Sequence, residues 1–309
     1  MSTSTKPVRI GARGSQLSLR QTHQALSMLQ AAHPSARFPI TTIASSGDTH
    51  PDLPIERLGV GAFVKELQVA LLRREIDIAV HSLKDLPTLP TPGLAIAAVT
   101  LREDPRDALV DRWDLTLASL PPGARIGTGS PRRMAQLRSL RPDLQVLPIR
   151  GNVTTRLDKA LGADYDGVVL ALAGLRRLGL DGQVAQVFDP DLLLPAPGQG
   201  ALALEVRADD PETAALVRRI QHQETYLATQ AERAFLALLG GGCRAPYGAY
   251  ALVEGNAIAL TGMVGEVSGQ RLYRASASGS AQDPEAAAAA VYHALRAQGA
   301  GPLIDEMKE

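Results

Sequence analysis

The chain has 309 residues, 45% of them hydrophobic and 21% charged, which is the composition of a water-soluble globular protein with two or three domains. A net charge of zero gives it no general attraction for nucleic acid or an anionic membrane, and aromatics at 4% are too scarce for a surface of stacked bases. The first seven residues lack the apolar core of a signal peptide, no stretch approaches the roughly 18 apolar residues of a membrane span, and one cysteine allows no internal disulfide; a cytoplasmic home is expected.

In chain order, Val8 to Ala12 reads as a first strand, which leads through Arg13, Gly14 and Ser15 into a helix with Ser15 as N-cap. Residues 38–44 form a second strand. Gly59-Val60-Gly61-Ala62 is a glycine-rich loop, and a helix follows over 63–74, with Phe63 on its apolar face. The loop lacks the lysine spacing of a phosphate-binding motif and suits the hinge of a lid formed by Gly59, Gly61 and Phe63.

The β-branched run Ile76, Ile78, Ala79, Val80 predicts a strand buried in a parallel sheet. Pro87 and Pro90 bar a helix or central strand directly after it. That places His81, Ser82, Lys84 and Asp85 at a strand's carboxyl end, the edge where open α/β sheets bind ligands. A plain turn aspartate beside a solvated lysine is an equal reading of these residues alone. Leu94 to Val99 is a further strand.

Around residues 102–106 the chain changes domain. Arg125 to Gly127 is a strand running into a helix with Ser130 as N-cap and Pro131 as first residue. Residues 144–149 form a strand, Asn152 caps the next helix, and 167–172 form another strand. From Arg125 to Lys159 eight basic residues face only Asp143 and Asp158. Arg132, Arg133, Arg150 and Arg156 fall at strand ends or first turns, where positive charge is unfavourable unless an anion is present. Only five of the chain's 32 basic residues are lysine, a bias read mostly as genome composition, given the frequent alanine, and in part as selection for bidentate carboxylate binding.

The Pro-rich stretch 194–200 and a strand over 201–206 read as a crossover. Two helices follow, over 211–221 and 224–239, and the second stops at Gly240-Gly241-Gly242. Three antiparallel strands and a helix capped by Asp283 close the chain as a small α+β domain. Cys243 lies in a glycine-rich loop beside Arg244, and an adjacent cation favours the reactive thiolate. Neither a second cysteine nor a histidine cluster supports a zinc site, so no metal is expected.

The motifs His81-Ser-Leu-Lys-Asp85, Arg102-Glu-Asp-Pro-Arg-Asp107, Arg150-Gly-Asn-Val-Thr-Thr-Arg156, Leu194-Pro-Ala-Pro-Gly-Gln-Gly200, Ala231-Glu-Arg-Ala234 and Gly241-Gly-Cys-Arg244 run through nearly the whole chain. In this order they resemble the porphobilinogen deaminase family, also called hydroxymethylbilane synthase. The resemblance implies two α/β domains like type II periplasmic binding proteins with the active cleft between them, plus the small α+β domain with its antiparallel sheet. The boundaries would be 1–100 with 201–219, then 101–200, then 220–309. It implies a transferase of tetrapyrrole synthesis that joins four porphobilinogen molecules, releasing ammonia, on a dipyrromethane cofactor held covalently by Cys243.

By the same resemblance Asp85 is the catalytic carboxylate. Lys84, Ser82, Ser130, Arg132, Arg133 and Arg150 would hold the cofactor, and Arg13, Ser15, Arg156, Arg177 and Gln199 the substrate. Porphobilinogen is the one partner implied, with no nucleic acid, membrane or obligate protein, and a monomer is expected. Gly129, Pro131 and Val60 depart from the family's usual residues. A two-domain anion receptor with an inert cysteine is the rival class, which turnover of porphobilinogen would exclude.

Overall fold

The computed structural model describes residues 7–43, 64–240 and 245–308. β1 (Ile10–Arg13), α1 (Gln16–Ala32), β2 (Ile40–Ile43), α2 (Lys65–Leu72), β3 (Ile78–Ser82) and β4 (Leu94–Val99) come first. β5 (Asp107–Asp111), β6 (Arg125–Gly127), α3 (Pro131–Leu140), β7 (Gln145–Leu147) and α4 (Val153–Ala160) follow, then β8 (Gly167–Ala171), α5 (Leu172–Leu178) and β9 (Gln186–Val187). The chain continues with β10 (Leu202–Arg207), α6 (Pro211–Arg218) and α7 (Gln223–Leu238). It closes with β11 (Tyr247–Glu254), β12 (Ala257–Gly265), β13 (Leu272–Ser280), α8 (Pro284–Leu295) and α9 (Gly301–Glu306). Contacts divide it into two units, Met1–Arg102 with Ala201–Tyr226, and Glu103–Gly200 with Leu227–Glu309.

The first unit is built on a five-stranded sheet in the order β2-β1-β3-β10-β4. Alternate residues of β3 serve opposite faces, as the pleat requires. Ile78 and Val80 pack with Ala25 and Leu29 of α1, while Ala79 packs with Leu67 and Leu71 of α2. Covered on both sides, the strand is apolar on both faces over 78–80, and each large apolar side chain so buried contributes roughly 1.5–3 kcal/mol over exposure. Gly11 admits this packing, because a Cβ there would stand 2.3 Å from Ile76 Cδ1. The sheet is mixed and not parallel throughout: β10 runs antiparallel to both β3 and β4. Residues 201–206, expected as part of a crossover, thus lie inside the sheet.

The second unit repeats that design in a sheet of order β7-β6-β8-β5-β9, with β5 as the antiparallel strand. The repeat reaches single side chains. Arg9, just before β1, donates from its backbone N and Nε to Asp77 Oδ2 (both 2.9 Å) and from Nη2 to Oδ1 (3.0 Å). Arg125, at the start of β6, makes the same three bonds to Asp166, at 2.9, 3.0 and 2.9 Å. Each pair ties the start of one strand to the residue before its parallel neighbour. β5 and β9 were not legible as strands. Their short runs lie beside the Asp- and Pro-rich stretches that signal loops.

The same unit contains the antiparallel sheet β11-β12-β13, whose inner face packs with Phe235 of α7 and Val291 and Leu295 of α8. α9 was not anticipated. Gly299, at φ 96°, breaks the helical path before it. The expected α/β sheets and the small antiparallel sheet packed with helices are therefore observed.

The arginine–aspartate staples set an acid limit on stability. Burial alone would raise the Asp77 carboxyl, but hydrogen bonds from Arg9 and Arg207 more than offset it and hold it at about 2. Asp166 is likewise held at about 2, chiefly by its bonds from Arg125. A depressed folded value means the stabilisation is complete above the unfolded carboxylate range and lost as pH falls towards 2. Urea midpoints should therefore drop between about pH 4 and 2, and drop less in an Asp77→Asn/Asp166→Asn double variant.

Candidate active site

In the first unit the carboxyl ends of β1 and β3 lie side by side in a parallel pair. Ser15 caps α1, its Oγ accepting from Ser18 N, and Ser18 Oγ accepts from Arg13 N at 3.1 Å. Gln21 Nε2 donates to Ser82 Oγ at 2.8 Å, which latches the first turns of α1 to the end of β3. Beyond Ser82 the chain makes one 3-10 turn, Leu83–Asp85, held by buried Leu83 and Leu86. Lys84 is half-buried and the Asp85 carboxylate is exposed. Arg13, Ser15, Ser18, His81, Ser82 and Asp85 line a cavity of about 70 Å³. The structure thus gathers four of the expected site residues at one strand end. His81 stands at the carboxyl end of β3 as expected, the residue before Ser82, and is only 4% exposed.

In the second unit the strand-end arginines have an anion that sequence reading did not place. Asp107, 0% exposed, opens β5. Its Oδ2 accepts from Arg132 Nη1 at 2.7 Å, and its Oδ1 accepts from Arg133 Nη2 at 2.7 Å and from Gln199 Nε2 at 2.8 Å. Arg132 Nη1 also donates to Leu194 O, and Arg133 Nη1 to Val169 O. Burial by itself would push the Asp107 carboxyl up; the charges of Arg132 and Arg133 overcome this and hold it well below the usual carboxylate range. Burial likewise pushes the Arg132 guanidinium down, and Asp107 offsets part of that. Both arginines sit in the first turn of α3, against the helix dipole, and Asp107 supplies the compensating charge.

The cluster still holds two positive charges and one negative. Arg132 Nε and Arg133 Nε are buried with no hydrogen-bond partner among the described residues. Unmet buried donors of this kind suit a further carboxylate. Gln199 is set by its neighbours: Gly198 N donates to Glu232 Oε2 at 2.6 Å, and Glu232 Oε1 accepts from Ala251 N at 2.9 Å. Glu232, wholly buried on α7, thereby ties the Pro-rich stretch to β11.

Ser130 precedes α3 as expected, yet its side chain makes no cap bond, and its N donates to Thr128 Oγ1 instead. Its hydroxyl is not committed to the helix end. Asn152 caps α4 by accepting from Thr155 N at 2.9 Å. Gly151, at φ 113°, makes the turn into it, where a Cβ would also stand 2.7 Å from Thr155 Cγ2. Half-buried Arg150 and Arg156 flank that turn. A Cβ on Gly129 would lie 3.0 Å from Ile149 O, so the missing side chain accommodates that carbonyl, while Arg156 Nη2 at 3.7 Å would be in ordinary contact. Arg177, on α5, donates to Gly200 O at 2.7 Å; burial pushes it down to about 10, partly offset by Glu103. Cys243, Gly59, Gly61, Phe63 and Val60 lie outside the described residues.

No described helix is long and apolar enough to cross a membrane, and no described group of His, Cys, Asp and Glu is placed to hold a metal. Fold and site together define an α/β protein whose two sheet domains each present basic side chains at strand ends, one beside an exposed carboxylate and one around a buried one.

The family model "Porphobilinogen deaminase, dipyromethane cofactor binding domain" matches residues 8–215, and that of the porphobilinogen deaminase C-terminal domain matches 226–297. The chain belongs to the porphobilinogen deaminase family. Porphobilinogen deaminase of Roseiflexus sp. (strain RS-1) is 47% identical over 296 residues, which cover 96% of this chain and 97% of that protein. That of Synechococcus elongatus is 46% identical over 311 residues, covering 99% and 97%. Among solved structures, the methionine binding protein MetQ is similar at 12% identity and a TM-score of 0.45, covering 76% of this chain and 96% of that one. Family membership makes the chain an enzyme, a transferase of tetrapyrrole synthesis that uses a dipyrromethane cofactor. The excess positive charge and unmet guanidinium donors around Asp107 fit that cofactor's carboxylates.

Proposed function

We propose that the chain is a hydroxymethylbilane synthase in which Asp85 is the catalytic carboxylate and Cys243 anchors the cofactor through a thioether. Porphobilinogen carries an acetate and a propionate, so each condensation adds two negative charges that the protein must hold. The observation that carries this reading is the buried Arg132–Asp107–Arg133 cluster, which has one positive charge more than it can use internally.

When bound, dipyrromethane supplies the pyrrole α-carbon to which the first substrate is joined. Arg132, Arg133 and Arg150, with Ser130, Ser82 and Lys84, are assigned to its carboxylates. Arg13, Ser15, Arg156, Arg177 and Gln199 are assigned to substrate. In Gln199 the amide is already engaged with Asp107, so it orients the arginine cluster as much as it meets ligand.

Loss of ammonia from porphobilinogen leaves a cationic azafulvene, and forming the new C–C bond leaves a proton to be removed. An exposed carboxylate at a rigid strand end is suited to both tasks. It accepts pyrrole N–H bonds, stabilises the positive charge and takes or returns the proton. The lid assignment of Gly59, Gly61 and Phe63 rests on sequence alone. So do the three-domain division at 1–100 with 201–219, 101–200 and 220–309, the monomeric state and the cytoplasmic location.

Two outcomes follow. Purified protein should release ammonia from porphobilinogen and form hydroxymethylbilane, and absence of turnover by cofactor-loaded protein would contradict the proposal. Arg150→Lys and Arg156→Lys keep the charge but lose the bidentate fork, so each should lower kcat/KM about tenfold or more with the urea midpoint unchanged. Unaltered kinetics in both would return these arginines to a solvated face.

A further inference from the structure

Behind the end of β3 lies a buried polar chain that no assigned role uses. Glu205 of β10 is 4% exposed, and it sits on the same face of the sheet as His81. Thr91 Oγ1 donates to Gln68 Oε1 at 3.1 Å, which turns the Gln68 amide nitrogen towards Glu205. That nitrogen lies 2.9 Å from Glu205 Oε1 and 3.2 Å from Oε2, and His81 Nε2 lies 3.0 Å from Oε2. A flipped amide would set its oxygen against the carboxylate, so the chain has one direction: Thr91 to Gln68 to Glu205, with His81 donating from the other side.

The next charged residue of β10 on this face bonds other carboxylates. Arg207, two residues along β10, gives Nη2 to Asp77 Oδ1 at 2.9 Å and Asp210 Oδ2 at 2.7 Å. Among the described residues, His81 is therefore the one ionisable partner bonded to Glu205, and a carboxylate whose oxygens both face donors acts only as an acceptor.

We infer that Glu205 is a positioning residue for the reaction: by accepting from Nε2 it fixes a proton on that nitrogen of His81, so that Nδ1 is the ring atom left to exchange protons at the cavity lined by Ser82 and Asp85. A fixed tautomer one residue before Ser82, with its ring locked by a buried acceptor, holds the wall of the Asp85 cavity in one state. The inference rests on the assignment of Asp85 to the chemistry.

The test uses the full, cofactor-loaded chain. Ring nitrogen and carbon resonances of His81 should show Nε2 protonated at every pH where the enzyme turns over. An Nδ1–H, Nε2-unprotonated ring would overturn the inference without any variant. Glu205→Gln exchanges one of two acceptor oxygens for an NH2 donor, so the side chain can no longer accept from both Gln68 and His81, and should lower kcat about tenfold or more while KM changes less than about twofold. His81→Asn should lose a similar factor, and the double variant should lose no more than His81→Asn alone, because Glu205 acts through His81. Additive losses, or a normal kcat in Glu205→Gln, would overturn it. Asp85→Asn measured alongside separates the two failures: if that variant turns over normally, the site assignment has failed; if only Glu205→Gln is normal, this inference has.

Discussion

Asp85→Asn should cut turnover of porphobilinogen about a hundredfold or more, with thermal midpoint and cofactor content unchanged. Asparagine keeps the size and most of the shape of aspartate but carries no charge and cannot take a proton. The side chain is exposed at the end of a 3-10 turn whose buried anchors are Leu83 and Leu86, so the fold has little stake in it. A cationic intermediate at a rigid strand end has a large one, because a preorganised charge needs no rearrangement as the reaction proceeds. Steady-state kinetics, with intact mass as a control for the cofactor, decide it. Activity within about threefold of the parent would remove Asp85 from the chemistry.

Asp107→Asn should act in the opposite way, through stability first. The carboxylate is wholly buried between two guanidinium groups at 2.7 Å each. Its removal leaves both arginines buried without their counter-charge. Breaking a buried ion pair by deleting one partner costs about 3–5 kcal/mol. Urea denaturation should show a loss of that order, and cofactor content should fall with it, since Arg132 and Arg133 lose their orientation. A leucine in its place should fare no better, because the two arginines would remain. A change below about 1 kcal/mol would mean that the arginines can reach solvent or another anion when Asp107 is lost.

The sequence carried the strand-and-turn frame of the site because local chemistry dictated it. Ser15, Asn152 and Asp283 cap helices as expected, since a side-chain acceptor followed by an amphipathic run has few other uses. Pro131 and Pro284 likewise sit in first turns. The end of β3 was legible through its β-branched run and the prolines beyond it, and His81 and Ser82 close the strand as expected.

What was not legible depends on contacts far apart in the chain. Asp107 stands 25 and 26 residues from its two arginines and 92 from Gln199, and nothing in its surroundings marks it as their partner. The first-turn arginines did announce that an anion was needed; they could not say that part of it would be internal. Glu205 and His81 are 124 residues apart and meet only because β10 returns antiparallel beside β3. The Arg9–Asp77 and Arg125–Asp166 staples were equally hidden: the second unit repeats the first in style and not in sequence, so their shared geometry has no sequence mark.

The measurement that bears most directly on the account is the mass of the purified, denatured chain in excess thiol. A thioether on Cys243 withstands reduction, whereas a disulfide-linked or merely trapped ligand does not. The protein should weigh more than its sequence by one dipyrromethane unit, and Cys243→Ser should weigh its bare sequence mass and lack activity. A parent protein found at its bare sequence mass, to which porphobilinogen adds nothing, would contradict the account.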